Sequence, residues 1–287
     1  MKYILSILYI FAIPFLLVAQ SDDELIDDLL GEESSVVSST FKTSRVINGH
    51  SVEQPAKGEM DFRISHRFGQ LNTGSYDLWG LDQATIHFSL EYSPLDYLTI
   101  GIGRSSYRKT YDGYAKLAIL KQQAGMPFFL SYVATTEIVT LKNEIPDYEF
   151  KHRVGYVHQL LIARKFSKNF SLQLSPTLVH KNLVPEAGMK NNIMSLGIGA
   201  RYKLSKRLSV NAETFLTDFG PMPEGIEYHQ PISLGIDLET GGHVFQIMVT
   251  NSLPMREVGF ITETAGDFFK GDIHLGFNIS RTFNLHK

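Results

Sequence analysis

The chain has 287 residues, 43% hydrophobic and 20% charged, with a formal net charge of −3 and no cysteine. That balance excludes global disorder and leaves nucleic acid without the basic footprint it would need. Without cysteine there is no disulfide, thiolate metal site, thiol catalysis or lipoprotein anchor.

At the N-terminus, Lys2 precedes an apolar run from Tyr3 to Val18, closed by Ala19, Gln20 and Ser21. The run is shorter than the roughly 20 residues of a spanning helix and contains Pro14, so residues 1–20 are expected to be a cleaved export signal. Residues 21–57 follow as an acidic N-terminal segment expected in the periplasm. Its first part, from Asp22 to Glu33, favours a solvated tail, because isolated short helices are marginal in water. Its second part sets Arg45, Asn48, His50 and Glu53 beside Phe41, Val46 and Ile47. Burying Val46 and Ile47 among charged neighbours suggests a plug in the mouth of the domain that follows.

From residue 58 to the end, apolar and polar residues alternate, the pattern of a strand between two unlike media. Met60, Phe62, Ile64, His66 and Phe68 oppose Asp61, Arg63, Ser65 and Arg67. Ala84 to Tyr92, Leu98 to Gly103, Tyr114 to Ile119 and Phe128 to Thr135 repeat the alternation. The sixth segment, Val154 to Arg164, is ambiguous. Six more alternate cleanly, the last from Asp272 to Ser280. Five tight turns separate six long connections: about 69–82, 104–112, 136–152, 181–191, 217–230 and 251–270. Long connections first and last require an even strand number and put both chain ends on the short-turn side.

The expected fold is therefore all-β: a single closed antiparallel transmembrane β-barrel of about 12 strands, spanning 58–287, in the cell outer membrane. Short turns and both termini would face the periplasm, and long loops would face outward. Tyr92, Tyr97, Tyr107, Tyr111, Tyr114, Phe166, Phe170 and Tyr202 fall near strand ends, where interfacial aromatics belong. A secreted β-sandwich or lipocalin-like barrel is the soluble alternative.

Phe41 to Glu53, FKTSRVINGHSVE, with the Met60 to Phe68 strand, is similar to an uncharacterised family of Bacteroidota outer-membrane β-barrels, the domain-of-unknown-function family number 5777. The resemblance covers the mature chain, implies this fold and location, and carries no functional residues over. The last strand departs from the usual assembly signal, since Phe283 is followed by Asn284, Leu285, His286 and Lys287.

The polar face of each strand is expected to line the lumen, which assigns Asp61, Arg63, Arg67, His87, Glu91, Lys116, Arg201, Lys203, Glu213, Asp237, Glu239, Asp272 and His274 to the interior. Mixed signs argue against a strongly ion-selective pore, and 12 strands give a narrow or partly plugged interior. The leading reading is a small passive channel or solute-binding barrel. An outer-membrane lipid hydrolase is the catalytic alternative, although Asn48, Gly49, His50 and Ser51 echo its motif only superficially and no catalytic residue is assigned. A docking barrel that uses its outer loops is the third. Ten histidines at scattered positions show no metal-ligand spacing, and no cofactor is expected. The implied partners are outer-membrane lipid, the barrel-assembly machinery during insertion and a small solute.

Overall fold

A computed structural model describes residues 36–37, 39–142, 147–184, 188–222, 225 and 227–285. The expected export signal and the acidic stretch through residue 35 lie outside the described residues. Twelve antiparallel strands follow one another in chain order: β1 (Glu59–Gln70), β2 (Ala84–Leu95), β3 (Leu98–Ser105), β4 (Thr110–Leu120), β5 (Phe129–Val139), β6 (Val154–Lys165), β7 (Phe170–Lys181), β8 (Asn192–Lys203), β9 (Leu208–Thr217), β10 (Ile232–Thr240), β11 (His243–Thr250) and β12 (His274–Asn284). Each pairs with its neighbours, and β1 pairs with β12 from Glu59↔Asn284 to Gln70↔His274, which closes the barrel and leaves no free edge. One short helix, α1 (Glu257–Thr262), lies in the connection between β11 and β12.

The outer surface carries Ile102, Ile247, Met194, Ile236, Ile100 and Phe88, all exposed. An apolar belt of this extent belongs in hydrocarbon. Alternate residues point inward, including Arg67, Glu91, Lys116, Gln159 and Gln173, all almost fully buried. The histidines split by parity: His87 and His274 face in and are buried, whereas His66 faces out and stacks on Phe277 at 4.9 Å.

Several expectations need correction. Asp272 is not on a strand face; it precedes β12 at the long-loop rim, accepting from Asn72 Nδ2 at 2.8 Å and Asp267 N at 3.0 Å. The connections expected at 104–112 and 136–152 are shorter, because β3, β4 and β5 run further and bring Asp112 and Glu137 into inward strand positions. Tyr114, expected in an aromatic girdle, lies inside at 7% exposure. The ambiguous sixth segment is an ordinary strand whose inner face, Val157, Leu161 and Ala163, is as apolar as its outer face. An apolar inner wall is stable only against something apolar inside.

Candidate functional site: a lumen filled from both ends

Two elements occupy the barrel. Residues 39–54 dip in from the short-turn end as a tight hairpin, closed by Val46 N donating to Gly49 O at 2.9 Å and Ser51 N to Ser44 O at 2.9 Å. Residues 251–272 fold inward from the long-loop end and carry α1 at their tip. Phe41, Val46, Ile47 and Val52 of the hairpin pack with the inner-wall residues Tyr114, Val133, Leu161, Ala163 and Met248. Phe260 and Ile261 of α1 pack with Val157, Val179, Ile193 and Phe215. These two clusters account for the apolar inner face of β6.

The hairpin cannot satisfy its own backbone, since a two-residue-wide ribbon leaves most of its polar groups facing outward. The wall does it instead. Glu213 accepts from three consecutive N–H groups, Ile47 at 3.1 Å, Asn48 at 3.0 Å and Gly49 at 3.0 Å. Lys116 Nζ donates to the carbonyls of Ser44 (3.2 Å), Ser51 (3.0 Å) and Glu53 (2.8 Å). Gln173 donates to His50 O at 2.7 Å and accepts from Val52 N at 3.0 Å. Gln246 donates to Val46 O at 2.8 Å and Asn278 to Ile47 O at 3.1 Å. Arg201 donates to Ser39 O at 2.8 Å, and Glu91 accepts from the Ser44 hydroxyl at 2.6 Å. The hairpin fits closely enough that a Cβ on Gly49 would stand 2.9 Å from the Phe215 ring, and one on Gly199 3.1 Å from Val46 Cγ2.

Where hairpin and loop meet, charges form a closed network. Arg45 and Arg256 both pair with Glu257, and Arg256 Nε also reaches Asp112 Oδ1 at 3.1 Å. Asp112 in turn contacts His87 Nε2 at 2.8 Å, and Glu137 accepts the Val258 N–H at 2.9 Å, tying the start of α1 to β5. His50 Nε2 stands 3.3 Å from Glu257 Oε1, with its ring edge-on to Tyr114 at 4.5 Å. Burial, reinforced by the positive field of Arg45, Lys116, Arg256 and Arg63, holds the His50 imidazole well below its ordinary pKa, so it is neutral. Burial opposes ionisation of Glu257, but Arg256 and Arg45 outweigh it and hold its carboxyl below the usual carboxylate range.

The structure thus gathers Arg67, Glu91, Lys116, Arg201 and Glu213 onto the hairpin, together with Arg45, Asn48 and His50 within it. Glu53 is half-buried where the hairpin leaves the lumen and accepts from Phe41 N at 3.1 Å. Asp237 is held by Gln246 at 2.7 Å, and Asp61 by Thr282 at 3.0 Å. Lys203 and Glu239 sit at the short-turn rim, where Glu239 pairs with Lys42. His274 contacts Phe68 O at 2.8 Å, away from the hairpin, and Arg63 lies beside it without a hydrogen bond. Sequence reasoning missed Asp112, Glu137, Arg256 and Glu257. The first two continue the inward series Asp112, Tyr114, Lys116 and Val133, Thr135, Glu137, and the last two precede Val258, Phe260 and Ile261, an apolar cluster out of place in an outer loop.

Among the described residues no group of histidine, aspartate and glutamate is arranged to hold a metal ion. Above α1 the long-loop mouth opens into a vestibule of about 320 Å³, lined by Tyr107, Arg108, Glu137, Arg153, Lys181 and Glu263 among others.

Comparison with known proteins adds the following. A family model described as a membrane bound beta barrel domain (DUF5777) matches residues 41–283, a span that takes in the hairpin as well as the strands. No curated protein matches the chain at a significant level. Among solved structures, the COG4313 outer membrane channel from Pseudomonas putida F1 is similar at 11% identity and a TM-score of 0.51, covering 80% of this chain and 97% of that one. The KdgM porin is similar at 9% identity and a TM-score of 0.47, covering 79% and 99%. The outer membrane phospholipase A from Escherichia coli is similar at 12% identity and a TM-score of 0.42, covering 77% and 92%. At these identities the likeness is one of fold alone.

Proposed function

Given that this chain belongs to the membrane bound beta barrel domain family (DUF5777), we propose that it is an outer-membrane channel for small solutes, closed at rest by its own N-terminal hairpin. Short turns and both termini face the periplasm in this reading, so the hairpin enters from the periplasmic side and residues 1–20 are the export signal that brings the chain there. Outer-membrane lipid covers the apolar belt, and the barrel-assembly machinery inserts the chain.

The observation that carries the reading is the way the hairpin is held. Its backbone is bound by charged and amide side chains of the wall, groups that water can satisfy equally well once the hairpin is gone. Phe41, Val46, Ile47 and Val52 add apolar contacts to that grip, which keep the hairpin seated at rest. A wall rich in glutamate, lysine, glutamine and asparagine is also what an open aqueous lumen needs. The lipid-hydrolase reading would need a nucleophilic serine on a histidine at the lipid surface, and no serine hydroxyl hydrogen-bonds a histidine among the described residues; the outward His158 instead meets the Tyr132 phenol at 2.7 Å.

Planar bilayers test the proposal. The full chain is expected to be silent or to open rarely, and a chain lacking Ser21 to Pro55 to conduct steadily. Both should show the heat-modifiable electrophoretic mobility of a folded barrel. A deletion that folds and inserts yet stays silent would sink the gate.

A further inference from the structure

Beneath the hairpin tip, between β1, β2 and the start of the inward loop, lies a small cavity of about 10 Å³. Its lining is strongly cationic, with Arg63 and Arg67 from β1, Arg45 from the hairpin and Arg256 from the loop. Glu257 neutralises Arg45 and Arg256, and Asp112 also pairs with Arg256. Arg63 and Arg67 differ. They are 4% and 1% exposed, and neither has a carboxylate within ion-pair distance among the described residues. Arg67 donates only to neutral oxygens, His66 O at 2.8 Å, Asn278 Oδ1 at 3.1 Å and Asn48 Oδ1 at 2.7 Å, and its Nε has no partner. Arg63 leaves both Nε and Nη2 without one.

The nearest carboxylates act on the two guanidiniums only from beyond ion-pair distance, and Asp61 and Glu91 each keep one oxygen without a hydrogen bond. Asp61 accepts from Thr282, Glu91 from Ser44, and Glu213 from the three N–H groups of the hairpin tip. Two buried guanidiniums with three unpartnered donor nitrogens carry a large desolvation cost that Asp61, Glu91 and Glu213 relieve only in part, and a protein interior removes such a cost by pairing the charge. Opposite Arg63 on β2 is Ser89, and Ser65 lies between the two arginines; both hydroxyls line the cavity and hydrogen-bond nothing among the described residues.

We propose that this cavity binds one monatomic anion, chloride in ordinary saline, held by Arg63 and Arg67 with the Ser65 and Ser89 hydroxyls. Size sets the class of ligand. A volume near one water-sized sphere excludes phosphate, sulfate and carboxylates, whereas a halide needs only a slight outward shift of two flexible guanidinium ends. The bound ion adds the missing negative charge under the hairpin tip, so it binds the closed lumen more tightly than the open one and stabilises the seated hairpin by mass action. The inference goes beyond the gating proposal, because the site exists in the closed barrel whether or not that barrel ever conducts.

The full chain in detergent, crystallised in sodium bromide, tests it. A bromide anomalous peak is expected between Arg63 and Arg67, with thermal unfolding at a higher temperature in sodium chloride or bromide than in sodium gluconate of equal ionic strength. Arg63→Gln should lower bromide occupancy about tenfold or more and abolish the halide effect on unfolding. If that variant fails to fold, the halide and gluconate comparison on the unaltered chain decides alone. An empty or water-filled cavity in bromide, equal unfolding temperatures in the two salts, or a bromide peak undiminished by Arg63→Gln would each overturn the assignment.

Discussion

Both inserts bury apolar side chains, but the hairpin draws most of its backbone hydrogen bonds from side chains of the wall, whereas the inward loop takes few from the wall, Glu137 to Val258 N and Thr217 to Ile261 O, and more from itself. Within the loop, Asn251 Nδ2 binds Gly266 O at 2.8 Å, Thr264 Oγ1 binds Phe260 O at 2.8 Å and Thr262 Oγ1 binds Val258 O at 2.7 Å. Phe260 meets Phe215 edge-on at 5.2 Å, and both it and Ile261 are fully buried. Hydrogen bonds are directional and exchange readily with water, so they fix a single seated register at a small net gain. Apolar burial has no such replacement in water and resists withdrawal at every step. The difference between the two inserts is one of proportion, with the hairpin relying more than the loop on exchangeable bonds to the wall.

The sharpest way to break that contrast is to remove the apolar anchor of the loop. Phe260→Ala should cost about 3–5 kcal/mol of stability, read by denaturant unfolding in detergent. A loss under about 1 kcal/mol would mean that the loop is held mainly by polar contacts. Next comes the carboxylate at the hairpin tip. Glu213→Ala removes the acceptor of three N–H groups and should cost about 2–3 kcal/mol, with residues 39–54 becoming open to added protease while the strands stay protected. Unchanged protection of the hairpin would show that its apolar contacts suffice.

Acid should act on the junction between the two inserts, with a graded effect. The His50 pKa is held below its ordinary 6.5, so the stability it lends is complete above that value and is lost as pH falls through the lower value of the folded state. Glu257 is held below its ordinary 4.5, so its contribution is present above 4.5 and is lost as pH falls further. Both signs agree, and the closed lumen should loosen on acidification from about pH 6.5 downward. Open probability in bilayers measures this, and His50→Gln should remove the first part of the rise. A profile flat from neutrality to about pH 4 would contradict it. The smallest effect belongs to Lys42→Ala, under about 1 kcal/mol, because its partner Glu239 is 42% exposed and the pair is screened.

Period two made the barrel legible because every strand separates hydrocarbon from a polar interior, and alternation records that boundary directly. The same logic explains where it became unreadable. On β6, Val157, Leu161 and Ala163 face the inserts, so both faces are apolar and the contrast vanishes. Asp112 and Glu137 were hidden because their outward neighbours, Gly113 and Thr136, no longer announce lipid. Asp272 belongs to a loop whose polar residues happen to continue the alternation of β12. For the interior, residue types were readable and their partners were not. Glu91, Lys116 and Glu213 could be placed inside from their parity, yet nothing in their spacing shows that they bind the hairpin at residues 44–53. Asn48-Gly49 looks like a hairpin signal, yet neither residue takes the positive φ of an Asn-Gly turn, and Ile47 and Asn48 stand at the centre of the bend.

A disulfide between hairpin and wall tests the central claim most directly. A Cβ on Gly199 would lie 3.6 Å from Val46 Cβ, within the span a disulfide bridges, and the chain has no other cysteine to compete. Val46→Cys combined with Gly199→Cys should oxidise spontaneously in detergent, abolish openings in bilayers, and regain the rare openings of the unaltered full chain only after reduction. Failure of the two cysteines to join in the folded barrel, or steady conductance with the bond intact, would contradict a lumen filled by its own N-terminal hairpin.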